Sequence, residues 1–215
     1  MAVLLIIVGL AVTKHLPFQS NTPAGAGQTD LVTTFQHGDV RSVPSACAAA
    51  STATLGQYLP GKRTQAIIQS LKLESQCTWT LDARPVYRVL EITTQAFGPS
   101  LLATGNGSAT FSAVDAYETE LQAMKDPPKS AHRPKAQLGA PAGLGNAAFS
   151  ALQVWRRSGN KTDFVTVVTR LRNVVITVTL QGLASSAKGG YGPVSVTTLQ
   201  AGALAVAHEA LAQIS

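Results

Sequence analysis

Asp163-Phe164-Val165-Thr166-Val167-Val168-Thr169-Arg170-Leu171, followed by Arg172-Asn173 and then Val174-Val175-Ile176-Thr177-Val178-Thr179-Leu180, is the stretch that decides the fold. β-Branched residues crowd both runs. In the second, Val174, Ile176, Val178 and Leu180 alternate with Thr177 and Thr179. Side chains on a strand point to opposite faces with a period of two, so one face is apolar and the other carries threonine. Arg172-Asn173 separates the runs and suits a tight turn. Upstream, Ala148–Arg156 reads as a further strand, joined to the first run through Ser158-Gly159-Asn160-Lys161. The three strands form an antiparallel meander with one face toward a core.

On the C-terminal side, residues Gly182 to Pro193 are a Gly/Ser-rich loop. A helix then begins at Val196 or Thr197, and its stripe of Leu199, Ala203, Val206, Ala207, Ala210 and Leu211 can cover the sheet. On the N-terminal side, Ser112 to Lys125 reads as a helix with Ala113, Ala116, Tyr117, Leu121 and Met124 at helical spacing and Ser112 as its cap. Before it, Ser75–Leu81 and Val86–Ala96 flank the turn Asp82-Ala83-Arg84-Pro85, which is the pattern of a hairpin. Ala48 to Leu59 reads as a short helix, with Ser51 or Thr52 able to cap it and Pro60-Gly61 ending it. Leu31, Thr33 and Phe35 alternate as they would in a short strand. The order helix, two strands, helix, three strands, helix predicts an α+β fold, an antiparallel sheet of about five strands covered by two or three helices.

The chain has 215 residues, which suits one domain with an N-terminal appendage. Residues Ala2 to Val12, AVLLIIVGLAV, are too few to cross a bilayer as a helix, which takes about 20 apolar residues. They match the apolar core of a secretory signal, although no basic residues precede them. Residues 1–13 are therefore expected to be a signal or anchor segment, 14–43 a flexible linker and 44–215 a single domain. Membrane tethering through the N-terminal segment, or secretion, follows as the expected placement.

Cys47 and Cys77 are the only cysteines. An isolated pair in an exported chain is normally a disulfide, and the apolar leader supplies the oxidising compartment that such a bond needs. No His-Glu-x-x-His, Gly-x-Ser-x-Gly or third glycine after Gly143-x-Gly145 is present, so no catalytic residue, metal or cofactor is assigned. Seventeen Lys/Arg against eleven Asp/Glu give a net charge of +6, which favours anionic neighbours. The charges are dispersed and carry no nucleic-acid-binding motif, so nucleic acid is not an expected partner. The densest group is Lys125, Lys129, Arg133 and Lys135, in the proline-rich connector KDPPKSAHRPK, and it is the candidate contact for an anionic surface.

A cysteine before a short helix, Cys77-Thr78-Trp79, the Gly143-Leu144-Gly145-Asn146-Ala147 turn, the meander and a closing Ala-rich helix together resemble an actinobacterial extracytoplasmic, lipoprotein-like envelope protein family of unknown function. Members typically carry a lipidated cysteine directly after the signal sequence and Gly-Leu-Gly-Asp at the turn. This chain has no cysteine at that distance and has Asn146 at the turn. The resemblance implies a cell-envelope setting and carries over no catalytic residue. The expected function is a non-enzymatic binding or accessory module for an anionic envelope polymer, lipid headgroups or an envelope protein, acting through loops 98–111, 125–135 and 182–195. An envelope hydrolase with a dispersed site and a ligand-sensing domain of an envelope complex are the alternatives.

Overall fold

A computed structural model of the chain describes residues 31–101, 106–127, 134–157, 159–185 and 190–214. The expected signal or anchor segment, Lys129 and Arg133 lie outside the described residues. The elements are α1 (Thr52–Tyr58), β1 (Thr64–Ser70), β2 (Glu74–Ala83), β3 (Val86–Ala96), α2 (Ala109–Lys125), β4 (Gln137–Gly139), β5 (Ala147–Arg157), β6 (Asn160–Leu171), β7 (Val174–Ser185) and α3 (Val196–Ala212). The strands form one sheet of seven in the order β1-β2-β3-β7-β6-β5-β4, and every neighbouring pair is antiparallel. The α+β class and the antiparallel sheet are as the sequence predicts, but the strands number seven rather than about five.

The two additional strands are the sheet edges. β1 is exposed along nearly its whole length, and its register shifts between Ile67 and Gln69. Burial does not impose a two-residue alternation there, and a bulge interrupts the period that remains. β4 is only three residues long. Segment 31–43 contains no helix or strand, so Leu31, Thr33 and Phe35 do not form one. It is nonetheless bonded to the domain. The Val32 N–H donates to Asn106 O at 2.8 Å and the Val43 N–H to Lys72 O at 2.9 Å. The amide of Asn173 accepts from the Val40 N–H and donates to Val40 O and Phe97 O at 2.8 to 2.9 Å. Asn173 is fully buried in the β6–β7 turn, and these partners satisfy its polar atoms.

The register explains why the sheet has two unlike faces. Trp79, Leu90, Leu180 and Val165 stand in one cross-strand row, and Cys77, Ile92, Val178 and Val167 in the next, all on the same face. α3 packs over this face with Leu199, Ala203, Val206, Ala207 and Ala210, as its sequence stripe predicts, and α1 lies against α3. Close approach is possible because Gly202 stands at the crossing, where a Cβ would fall 2.6 Å from Leu180 Cδ2 and 2.9 Å from the Tyr58 ring. On the other face Phe149, Ala151, Val168 and Val175 receive Ala113, Tyr117 and Met124 of α2. α2 starts earlier than Ser112. Its cap is Ser108, whose Oγ accepts from the Phe111 N–H at 3.3 Å, because Gly107 at φ +72° turns the chain directly into the helix.

Cys47 and Cys77 form a disulfide, with their Cα atoms 5.1 Å apart. Cys47 lies in a 3-10 turn, Ala46–Ala48, and Cys77 in the middle of β2. The Ala46 N–H donates to Ser75 Oγ at 2.8 Å beside it, so bond and hydrogen bond together hold the turn on the sheet. Trp79 is buried two residues on, and its Nε1 donates to Gln65 Oε1 of β1 at 3.1 Å. Closing a loop of this length stabilises the fold by about 3–4 kcal/mol on the chain-entropy account. Among the described residues no helix is long and apolar enough to cross a membrane.

Candidate functional site

α2 covers only part of its face of the sheet, and the uncovered edge of that coverage is where a site forms. Along β7 the outward positions are Thr177 and Thr179, opposite Val168 and Thr166 of β6. Across β6, Thr166 and Phe164 stand opposite Ala151 and Gln153 of β5, and Trp155 follows at the next outward position. The C-terminal half of α2 brings Glu120 and Met124 over these strands. The result is a groove of about 380 Å³ lined by Glu120, Met124, Gln153, Trp155, Phe164, Thr166, Thr177 and Thr179. That volume lies within the range of small-ligand sites, roughly 300–1,000 Å³.

The groove combines two surfaces of different chemistry. Trp155 and Phe164 pack with ring centroids 5.9 Å apart at 59°, and Trp155 remains 37% exposed. An indole left that exposed beside a groove has apolar surface available for contact. Thr166 Oγ1 lies 3.1 Å from Thr179 Oγ1, a paired set of hydroxyls in which each oxygen can also meet a ligand. Gln153 is buried, and its Nε2 donates to Pro134 O at 2.7 Å, which leaves its carbonyl oxygen to accept. Behind the groove, Tyr117 stacks edge-on against Phe149 with centroids 5.5 Å apart. Burial, reinforced by Glu118 and partly offset by Arg170, raises its phenol above the ordinary range and keeps it neutral.

Lys125 and Lys135 are both exposed. Lys125 directly follows groove residue Met124, and Lys135 directly follows Pro134, which Gln153 holds. Two of the four cations singled out in the sequence are thus chain neighbours of residues at the groove without lining it, while Lys129 and Arg133 lie outside the described residues. The aromatic pair, Gln153 and the threonines were missed in the sequence because function was expected on loops. The available signal was the outward face of the meander, where the large aromatics Trp155 and Phe164 stand beside Gln153, Thr166, Thr177 and Thr179.

Other clusters are weaker. A broader depression of about 550 Å³ runs along α2 and is lined by Asp115, Glu118, Thr119, Gln122, Ala123 and Asp126, all from or directly after a single helix. A cleft of about 270 Å³ between α3 and β5–β6 is lined by Ala140, Pro141, Ser150, Val165, Val167, Gln200 and Leu204. His208 makes no cluster with its neighbour. Glu209 instead receives the Ser51 N–H at 2.7 Å, the Ser51 hydroxyl at 2.8 Å and the Thr54 hydroxyl at 2.6 Å. Burial pushes its carboxyl upward, but those three donors outweigh it and hold the group below the usual range. Arg88 and Asp163 flank Gly182 in register. Arg88 Nε and Asp163 Oδ1 have no protein partner, and burial lowers the Arg88 pKa. Among the described residues no three acidic, histidine or cysteine side chains gather as a metal site would require. No family model matches the chain, and neither a characterised protein nor a solved structure is similar to it.

Proposed function

We propose that this chain is an extracytoplasmic binding module, secreted or held at the membrane by its N-terminal segment, that takes a segment of anionic wall glycan in the groove beneath α2. The observation that carries the reading is the exposed Trp155 beside Phe164 at the end of a hydroxyl-lined floor. A sugar ring presents an apolar C–H face to stack on an indole and hydroxyls to pair with Thr166, Thr179 and Gln153. The exposed Lys125 and Lys135, next in sequence to Met124 and Pro134, supply attraction for carboxylates or phosphates on the same polymer. The disulfide supports an oxidising compartment, and the resemblance to envelope proteins agrees with it.

The two tryptophans allow a direct test. Trp79 is buried in the core and Trp155 lies in the groove, so Trp79→Phe leaves Trp155 as the single indole. Titrating a soluble muropeptide into that variant should change the Trp155 emission in a saturable way. Trp155→Ala should weaken binding by calorimetry at least about tenfold, a loss of about 1.4 kcal/mol of stacking. A neutral N-acetylglucosamine oligomer should bind more weakly than the muropeptide. Muropeptide affinity that is absent, or unchanged in Trp155→Ala, rejects the groove as the site.

A further inference from the structure

The two edges of the sheet are not alike. β4, at one end, is three residues long and offers little backbone for pairing. β1, at the other, runs seven residues as Thr64-Gln65-Ala66-Ile67-Ile68-Gln69-Ser70, and contains neither a charge nor a proline. Proteins usually blunt a free edge with a short strand, an inward charge or proline, since its unpaired N–H and C=O groups template another strand. Among the described residues the register shift after Ile67 is the one such device within β1, and it leaves Thr64–Ile67 as a regular ladder on β2. Ile67, Ile68 and Leu71 are 65%, 56% and 62% exposed, and they form an apolar band along this edge.

Charge says which strand fits. From Pro60 to Leu73 the charged residues are Lys62, Arg63 and Lys72, with no acid among them, and Lys62 and Lys72 are exposed. Cations therefore stand at both ends of an uncharged, apolar-centred strand. A second copy of the same strand, laid antiparallel about Ile67, would set Lys62 opposite Lys72, and like charges facing each other across a ladder are unfavourable. We infer that β1 is a strand-addition site for a protein partner that presents an extended segment with an apolar centre and acidic residues at its ends. Main-chain bonds from Thr64–Ile67 extend the sheet, Ile67 and Ile68 meet the apolar centre, and Lys62 and Lys72 meet the flanking carboxylates. The foundation is anchored, because the Cys47–Cys77 bond ties β2 to the Ala46–Ala48 turn and β2 holds β1 through the strand ladder and the Trp79 to Gln65 hydrogen bond.

The test uses the full oxidised chain and synthetic peptides of alternating valine and threonine, one with glutamates at both ends and one with lysines. The acidic peptide should bind about tenfold more tightly than the basic one at low salt, because its glutamates pair with Lys62 and Lys72 whereas the lysines of the other peptide are repelled by them. Hydrogen exchange should then slow at amides within 64–70. Lys62→Glu/Lys72→Glu should invert the peptide preference, and Ile67→Lys should remove binding while the urea midpoint stays near wild type, since Ile67 is exposed. Equal binding of both peptides, no protection in β1, or a dimer of the chain alone with β1 protected would each overturn the assignment. Muropeptide binding in the groove does not depend on β1, so failure here leaves that result unaffected.

Discussion

Gly145→Ala should be among the most damaging single-methyl changes in the domain, and Gly143→Ala, two residues away, should cost clearly less. Both glycines have positive φ, +60° at Gly145 and +74° at Gly143, so an L-residue at either carries a left-handed backbone cost of about 1–2 kcal/mol. Part of that is offset, because alanine also narrows the unfolded ensemble by about 0.4–1 kcal/mol. Surroundings then separate the two. A Cβ on Gly143 meets nothing within 4 Å. A Cβ on Gly145 would lie 2.4 Å from Arg170 O and 2.9 Å from Thr169 Oγ1, and the first of these is backbone that cannot rotate away. The displaced atoms are already in use. Arg170 O accepts the Asn146 N–H at 2.7 Å, and Thr169 Oγ1 donates to Leu144 O at 3.2 Å. Overpacking of this kind costs about 1–3 kcal/mol, so the two variants should differ by about that amount with Gly145→Ala the weaker. Urea unfolding followed by far-ultraviolet circular dichroism on both variants measures the difference. Variants within about 0.5 kcal/mol of each other, the size of an ordinary surface effect, would refute the claim that the β5 turn rests directly on β6.

Reducing the disulfide, or replacing it by Cys47→Ala/Cys77→Ala, should lower stability by about 3–4 kcal/mol. Coincident urea midpoints for the oxidised and reduced wild-type protein would contradict the staple. Acid should loosen the α1–α3 contact through Glu209. Its folded pKa is depressed, so its contribution is present above the unfolded carboxylate value and is lost as pH falls through the lower folded value. Glu209→Gln should therefore flatten the pH dependence of the thermal midpoint in the acidic range, and a wild-type and a variant curve with the same acid slope would exclude this role.

How much of this was legible in the sequence depends on whether burial imposed a pattern. Where one face of an element is buried and the other is not, as in β7, β3 and α3, alternation or the helical stripe identifies the element and its inward residues correctly. β1 is solvated on almost every residue, so nothing forces its composition to alternate, and it does not read as a strand. β4 is too short for any period to be seen. The cap of α2 was displaced for a different reason. Asn106-Gly107 is a turn signal, and it concealed a helix that starts two residues later at Ala109. The cysteine pairing was accessible because only two cysteines exist and compartment chemistry decides between bond and thiols.

The groove was hidden by the same principle working in reverse. Threonine at the outward positions of β7 is what a solvated strand face contains, so Thr177 and Thr179 suggest nothing beyond exposure. Only when β5 lies two strands away and α2 ends above them do these hydroxyls share a cavity with Trp155 and Phe164. α2 itself explains why the cavity stays open. Its buried side chains at Ala109, Ala113 and Tyr117 hold the first turns down, while Met124 of the last turn joins the same apolar cluster at its margin and, with Glu120, borders the threonines. A bulky apolar floor would have let the helix close down and bury the indole. Thr166 and Thr179 bond each other and Gln153 bonds Pro134 O, so this part of the floor is polar and gives the helix less apolar surface to close upon. The features that keep α2 from sealing this face are therefore the ones that offer hydrogen bonds to a ligand, which ties the incomplete packing of the fold to the proposed function.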